Sequence, residues 1–268
     1  IVQHCFREAG LDGVAVADVM GAEEGFFYRN KMDFSFGQHR MGDLMLGLFV
    51  SVRTAEKEET RLSERRGRMP PVFDVEACCL QSEASNRMVR VVRDVLKGSP
   101  LRAYNPETGS GVLRSLVIRE GKQTGEALVT LGVAGPAPGG GVAEALMEAF
   151  ENVKGVVLSV NPKRSKHAVP ASQETLAGSG RIVERILGLE MEVSPGSFLQ
   201  VNTRQAERLY ELAVGFAGLE GEEAVLDLYC GNGTLSLLLA RHARRVTGVE
   251  VLEPAVEDAR LNAGRNGI

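Results

Sequence analysis

The sequence predicts two fold classes in one chain: an α+β domain built on an antiparallel sheet, then the beginning of a parallel, doubly wound α/β sheet. Two observations carry this. Up to about residue 162 the apolar segments run in the order β-β-α-β-β-α-β, with the strands in hairpins. From residue 225 the order becomes strand, glycine loop, helix, strand, helix, which is how a parallel sheet with crossover helices begins. The character of the chain changes near residue 190, so 1–190 is taken as the first domain and 191–268 as the second.

The opening dozen residues read as the end of a helix. "GFFYRNKMDFSFG" (25–37) then alternates aromatic and polar residues, which places Phe34 and Phe36 on one strand face with Met32 in line. "LMLGLFVSV" (44–52) is its antiparallel partner. Residues 53–71 are a mixed-charge run closed by two prolines, expected to be an exposed loop. Leu80, Ala84, Met88, Val91, Val92, Val95 and Leu96 recur with a helical period over 79–97. "VLRSLVIRE" (112–120) and "EALVTLGV" (126–133) are strands joined by the turn-like "GKQTG". The loop "GPAPGGG" (135–141) precedes a short helix near 142–151, and "GVVLSVNP" (155–162) is a further strand.

In the second domain "MEVSPGSFLQVNT" (191–203) is a strand and a loop. Asn202 or Thr203 caps a helix whose apolar face is Ala206, Leu209, Tyr210, Ala213, Phe216 and Ala217. Strand 225–229, the glycine loop, helix 235–243, strand 245–251 and helix 254–264 complete the pattern.

Composition narrows the function. Of 268 residues, 44% are hydrophobic and 25% charged, as in ordinary globular proteins. The net charge is −4, which excludes a globally basic nucleic-acid coat but not a local basic groove. No stretch approaches the roughly 20 apolar residues of a membrane span, and no signal peptide is visible. A soluble intracellular protein is expected, in the cytoplasm or an organelle. Cys5, Cys78, Cys79 and Cys230 form no C-x-x-C pair, so free thiols and no metal site are expected. Residue 1 is Ile and residue 268 falls within a helical pattern, so the chain is expected to be a piece of a longer protein.

The glycine loop carries the chemistry. In "VLDLYCGNGTLSLLLA" (225–240) glycines let a backbone approach a ligand where a Cβ would clash. Glu250 ends the second strand, 19 residues after Gly231, where an acid accepts hydrogen bonds from ribose hydroxyls. Dinucleotide sites favour G-x-G-x-x-G, and here the third position is Ser236. The pattern D-x-x-x-G-x-G, from Asp227 to Gly233, instead resembles the first motif of S-adenosylmethionine-dependent methyltransferases. A nicotinamide oxidoreductase and a tight turn without ligand are the alternatives.

"SFLQVN", "DLYCGNGTLSL" and "GVE…AVEDARLNAGRNGI", in that order, are similar to the RNA uracil-C5 methyltransferase family, which forms 5-methyluridine. "YRNKMDFSFG" and "TGSGVLRSLVIREG" resemble its central domain, so the likeness covers nearly the whole chain. The resemblance implies a central α+β domain followed by the first part of a Rossmann-like methyltransferase domain. It implies S-adenosyl-L-methionine as cofactor and tRNA or rRNA as partner. By position, Gln200 would contact the methyl donor, Tyr229 would line its pocket, Gly231 would admit it, and Glu250 would bind the ribose. Thr234 stands where some members carry Asn.

The family adds a cysteine thiolate to uracil C6, methylates C5, and removes the C5 proton with a base. Both groups would lie beyond Ile268, so no catalytic residue is assigned to this chain and alone it is expected to be inactive. Cys230 is taken as a small apolar residue against the cofactor loop. The cysteine cluster and small RNA-binding barrel of some members are not in this stretch. Arg29, Asn30, Lys31, Arg114 and Arg119, on strands of the first domain, are candidate phosphate contacts. A non-catalytic remnant that binds RNA or the methyl donor is the further alternative.

Overall fold

The computed structural model describes residues 1–39, 42–50, 71–135, 137, 139, 141–162 and 170–268. The mixed-charge loop expected over 53–71 lies outside these, apart from Pro71, and so do three residues of the "GPAPGGG" loop.

Helix α1 (Val2–Glu8) is followed by an extended, exposed segment to residue 28. Strand β1 (Lys31–Gln38) then buries Met32, Phe34 and Phe36 on one face, as the alternation predicts. β1 pairs antiparallel with β2 (Leu44–Phe49) and with β4 (Leu113–Glu120). A short β3 (Val72–Asp74) lies beyond β2, and β5 (Ala127–Val133) pairs antiparallel with β4. β6 (Val153–Val160) and β7 (Ser172–Gly178) complete a seven-stranded sheet in the order β3-β2-β1-β4-β5-β6-β7.

Every neighbouring pair in this sheet is antiparallel except β5 and β6. That pair is parallel because helix α3 (Val142–Ala149) carries the chain back across the sheet between them. The expectation of a wholly antiparallel sheet is corrected at this one crossover. Helix α2 (Glu83–Lys97) starts at Ser82, whose hydroxyl accepts the Ser85 amide, and buries Met88, Val89, Val92 and Leu96 against the sheet. With α3 it covers one face and closes the first core.

The other face of β5 and β6 belongs to a second core. Leu128 and Val157 point there and meet Ile182, Ile186, Leu189, Met191, Val193, Leu199, Leu237 and Leu238. Five of these sit on a hairpin of β8 (Ile182–Ile186) and β9 (Leu189–Val193), which reading the sequence left unassigned before 191. Its turn is Leu187–Gly188, with φ of 48° and 75°. Two left-handed residues match the twist of a tight hairpin, and a leucine there is unusual. Glu207 accepts the Leu187 amide at 3.0 Å and Arg241 donates to its carbonyl at 2.7 Å, which holds the turn.

Helix α4 (Thr203–Ala217) begins at Asn202, whose side chain accepts the Gln205 amide. Then come β10 (Ala224–Leu228), α5 (Thr234–Ala240), β11 (Arg245–Val249) and α6 (Glu253–Arg265), with β10 and β11 parallel. The apolar face expected of α4 is buried only in part: Ala206 is buried, whereas Leu209 is exposed and Phe216 is 87% exposed. Leu226 and Leu228, 59% and 58% exposed, lie on a face of β10 that no described element covers. No helix among the described residues is long and apolar enough to cross a membrane.

Glu184 ties the units together from a fully buried position. Its carboxylate accepts the Lys122 amide at 2.7 Å, the Gln123 amide at 3.0 Å and the Thr203 hydroxyl at 3.1 Å. It therefore joins the β4–β5 turn, the hairpin and the start of α4. Glu184→Ala is expected to lower the unfolding free energy by about 3 kcal/mol, because two backbone amides and the buried Thr203 hydroxyl lose a charged acceptor at once. Urea denaturation checks this, and a cost below about 1 kcal/mol would show that the junction holds without it.

Candidate cofactor site

The glycine loop follows β10 and turns on three left-handed residues: Tyr229 (φ 64°), Gly231 (φ 57°) and Gly233 (φ 88°). The two glycines serve different ends. A Cβ on Gly231 would meet nothing within 4 Å, so open space lies before the backbone there. A Cβ on Gly233 would stand 3.2 Å from Ala259 Cβ, so this glycine lets α6 approach the loop. Tyr229 is not a glycine, and its conformation carries strain of about 1–2 kcal/mol while its ring stands 87% exposed at the mouth of the loop.

Glu250 follows β11 and folds back on the loop. One carboxylate oxygen accepts the Gly231 amide at 3.2 Å; the other accepts the Val251 and Leu252 amides at 2.8 and 2.9 Å. The Leu252 amide, with those of Val251 and Gly231, holds the carboxyl below the usual carboxylate range against a smaller opposing effect of burial. A charged acceptor is thus fixed at the edge of the loop. Thr234 is buried and donates to Asn232 Oδ1 at 2.9 Å, within the loop. Asp227 accepts the Ser236 hydroxyl at 2.6 Å and, after burial, is the second cause that raises Tyr210 above its ordinary value.

Cys230 points at Gly248, where a Cβ would come within 2.8 Å of its sulfur. Burial pushes its thiol up, and the charges of Asp227 and Glu250 add to the effect. The site therefore opposes formation of the thiolate that nucleophilic attack needs.

Helix α6 sets the loop in place through polar residues at four-residue spacing: Asp258 and Asn262, both buried, and the half-buried Asn266 that caps its C-terminus. Asn262 accepts the Glu192 amide at 2.7 Å and donates to the Asn232 carbonyl at 3.2 Å, linking β9 to the glycine loop. Asn266 pairs with both the amide and the carbonyl of Glu190, at 2.9 Å each. Asp258 accepts Arg181 at 2.7 Å, Ser194 Oγ at 2.8 Å and Ser197 Oγ. Ser197 opens the segment that carries Gln200. None of these three α6 residues was singled out in the sequence; their spacing is the signal that could have found them.

Gln200 lies on the segment between β9 and α4. Its carbonyl accepts Asn30 Nδ2 at 2.7 Å, and Asn30 also donates to Thr203 Oγ1 at 3.0 Å. Among the described residues no hydrogen bond joins Gln200 to the loop; Glu250 is bonded to Gly231, while Tyr229 and Thr234 share the loop by sequence.

Two of the candidate phosphate contacts are corrected. Asn30 and Arg119 are buried, so neither meets solvent. Arg119 donates to the Ser197 carbonyl at 2.5 Å, and burial lowers its pKa to about 10 despite the nearby charges of Asp33 and Asp258. Lys31 pairs with Asp33 at 3.2 Å. Arg114 donates to the Asn161 carbonyl at 2.7 Å and lies over the Tyr104 ring. Arg29 is half-buried and forms a backbone bridge to Asn202. Among the described residues no group of three or more His, Cys, Asp or Glu side chains is placed to hold a metal ion.

A strand, a glycine loop with an open face and an acid after the next strand put the second unit in the methyltransferase class of α/β folds. Residues 143–268 match the family model described as tRNA (Uracil-5-)-methyltransferase. Two curated relatives, each described as an uncharacterized RNA methyltransferase, align along the chain. The one from Halalkalibacterium halodurans is 35% identical over 99% of this chain and 55% of its own length. The one from Clostridium acetobutylicum is 30% identical over 100% of this chain and 55% of its own. The chain spans about half the length of these relatives. In fold it is similar to the tRNA (uracil-54, C5)-methyltransferase of Pyrococcus abyssi, solved with S-adenosyl-L-homocysteine, with a TM-score of 0.69 at 24% identity over 92% of this chain and 55% of that one. The family match thus falls on the second part of the chain, residues 143–268, while the whole chain is similar to RNA methyltransferases.

The raised thiol of Cys230 has a direct consequence. N-ethylmaleimide should label Cys230 well after the exposed Cys5 and Cys79, and its labelling rate should still be climbing above about pH 9. Peptide mapping of labelled protein follows this; labelling of Cys230 as fast as Cys79 at neutral pH would contradict it.

Proposed function

We propose that the protein carrying this chain transfers a methyl group from S-adenosyl-L-methionine to C5 of a uridine in RNA. The observation that carries this reading is the open space before Gly231, bounded by a charged Glu250 fixed to the Gly231 amide. The cofactor would supply the electrophilic methyl group on its sulfonium. Glu250 retains free lone pairs after its three backbone bonds and would accept the ribose hydroxyls. Gly231 would let the backbone approach the ligand, and the exposed Tyr229 ring would lie along it. Gln200 would contact the methyl donor from its own segment, and Thr234 would act through Asn232. The thiolate addition to uracil C6 is assigned to no residue of this chain; the raised Cys230 thiol argues against it there. The packing supports a division near residue 180, with the β8–β9 hairpin counted in the cofactor unit.

Calorimetry on the full-length protein tests the cofactor. S-adenosylhomocysteine should bind and NADH should not, and Glu250→Ala should weaken binding by about 1–3 kcal/mol. Tight NADH binding with none for the homocysteine compound would overturn the reading.

A second comparison isolates α6. Asn262→Ala and Asn266→Ala each remove bonds to β9, but only the first frees the Asn232 carbonyl. Both should lower stability similarly, while only Asn262→Ala should weaken S-adenosylhomocysteine binding, by roughly tenfold. Equal weakening by the two would show that α6 does not position the loop.

A further inference from the structure

A small cleft opens where the first unit meets the start of α4, away from the glycine loop. Phe27, Tyr28, Lys122, Asn202, Arg204 and Arg208 line it. Phe27 stands in the left-handed region, φ 57°, with its amide bonded to the Cys79 carbonyl at 2.7 Å. Phe27 is 47% exposed and Tyr28 half-buried, so two aromatic side chains line the cleft with a pair of arginines one helical turn apart. Exposed rings next to cations are what single-stranded nucleic acid uses: bases stack on the rings and phosphates meet the cations.

The arginines are not free. Glu24 pairs with Arg204 at 2.7 Å and Glu23 pairs with Arg208. The same stretch is held by Gln205, which donates to the Met20 carbonyl at 3.1 Å, and by Arg208, which donates to the Gly21 carbonyl at 3.2 Å. Residues 9–27 are exposed throughout, and among the described residues every side-chain bond from 20–24 to the rest of the chain goes to this one face of α4. Two adjacent carboxylates thus sit where phosphates would. Pairs as open as these are weak, so they can be displaced by a polyanion that also brings bases to stack.

We propose that this cleft is a docking surface for a single-stranded stretch of the RNA substrate, and that Glu23 and Glu24 cover its arginines until RNA displaces them. The proposal rests on the RNA reading above. It concerns binding alone, so it stands or falls separately from cofactor binding.

The test is fluorescence anisotropy of the 268-residue chain with a labelled 12-nucleotide oligouridylate across a salt series. Arg204→Ala/Arg208→Ala should weaken binding roughly tenfold and lower the salt slope by about 1.4, the loss of two single-strand contacts. Glu23→Gln/Glu24→Gln should tighten binding roughly threefold at low salt, and this gain should vanish when the arginines are already replaced. All four side chains are at the surface, and thermal melting confirms that each variant is folded. Unchanged affinity on losing the arginines would overturn the docking surface. A gain from the glutamine variant that persists without the arginines would overturn the cover, since it would reflect overall charge. Polyglutamate binding as tightly as the oligouridylate would also overturn the proposal, by showing a site for any acidic chain, a protein segment included.

Discussion

The buried side chain of Asn30 is the joint on which the arrangement of the two units depends. It donates to the Gln200 carbonyl and the Thr203 hydroxyl, while its own amide donates to the Val201 carbonyl at 2.8 Å and its carbonyl accepts the Glu120 amide at 2.8 Å. Only the Nδ2 half of this buried amide is partnered, since its Oδ1 has no hydrogen-bond partner among the described residues, so losing either Nδ2 bond would add to a cost already present. Arg119 on β4 holds the same segment three residues earlier, at Ser197, and Glu184 holds it at Thr203. The segment bearing Gln200 is therefore held from both sides, by Asn30 and Arg119 of the first sheet and by Glu184 and Asp258 of the second unit. The α+β unit is part of the frame of the candidate site.

Helix α6 supplies the opposite side of that frame. β9 is an edge strand, and an edge leaves amides and carbonyls without partners. Asn262 and Asn266 meet those groups at Glu192 and Glu190, and Asp258 gathers Arg181, Ser194 and Ser197 one turn earlier. The row fixes the register of the helix against the strand, because a shift by one residue would strand every buried donor and acceptor at once. The same Asn262 reaches the Asn232 carbonyl, so the register of α6 sets the position of the loop.

What the sequence made legible follows from how each signal arises. Phe34 and Phe36 alternate on a strand with one buried face, and the glycine loop with Glu250 has a spacing that only a close backbone approach explains. β7 has no alternation, because its residues Ser172 to Thr175 are exposed, and so it left no pattern. The Leu187–Gly188 turn lacks the usual Asn-Gly or Asp-Gly pair and is held by Glu207 and Arg241 from distant positions. Asn30 shares parity with Met32 and Phe34, a signal of burial that its reading as a phosphate contact passed over; a polar residue before a strand reads as solvated unless that parity is followed through. Arg119 faces the back of the sheet, and nothing local shows that a second core lies against that face. The row on α6 has helical spacing but polar chemistry, so it looks like a solvent face until the strand beneath it is known.

The loop itself shows why Tyr229 can stay in a conformation that few tyrosines adopt. Strain of this kind persists only where the surroundings over-determine it. The Cys230 amide is tied to the Val249 carbonyl at 3.1 Å, the Gly231 amide to Glu250, the Gly233 amide to the Cys230 carbonyl at 3.0 Å, and the Asn232 carbonyl to Asn262. Four bonds from β11, the loop and α6 fix the residues that follow Tyr229, so its backbone must turn left-handed to enter the loop from β10. The ring is left exposed to solvent, two residues before the open position at Gly231. A glycine at 229 would relieve the strain and lose the ring, whereas a tyrosine keeps an aromatic surface at the mouth of the loop at the cost of that strain.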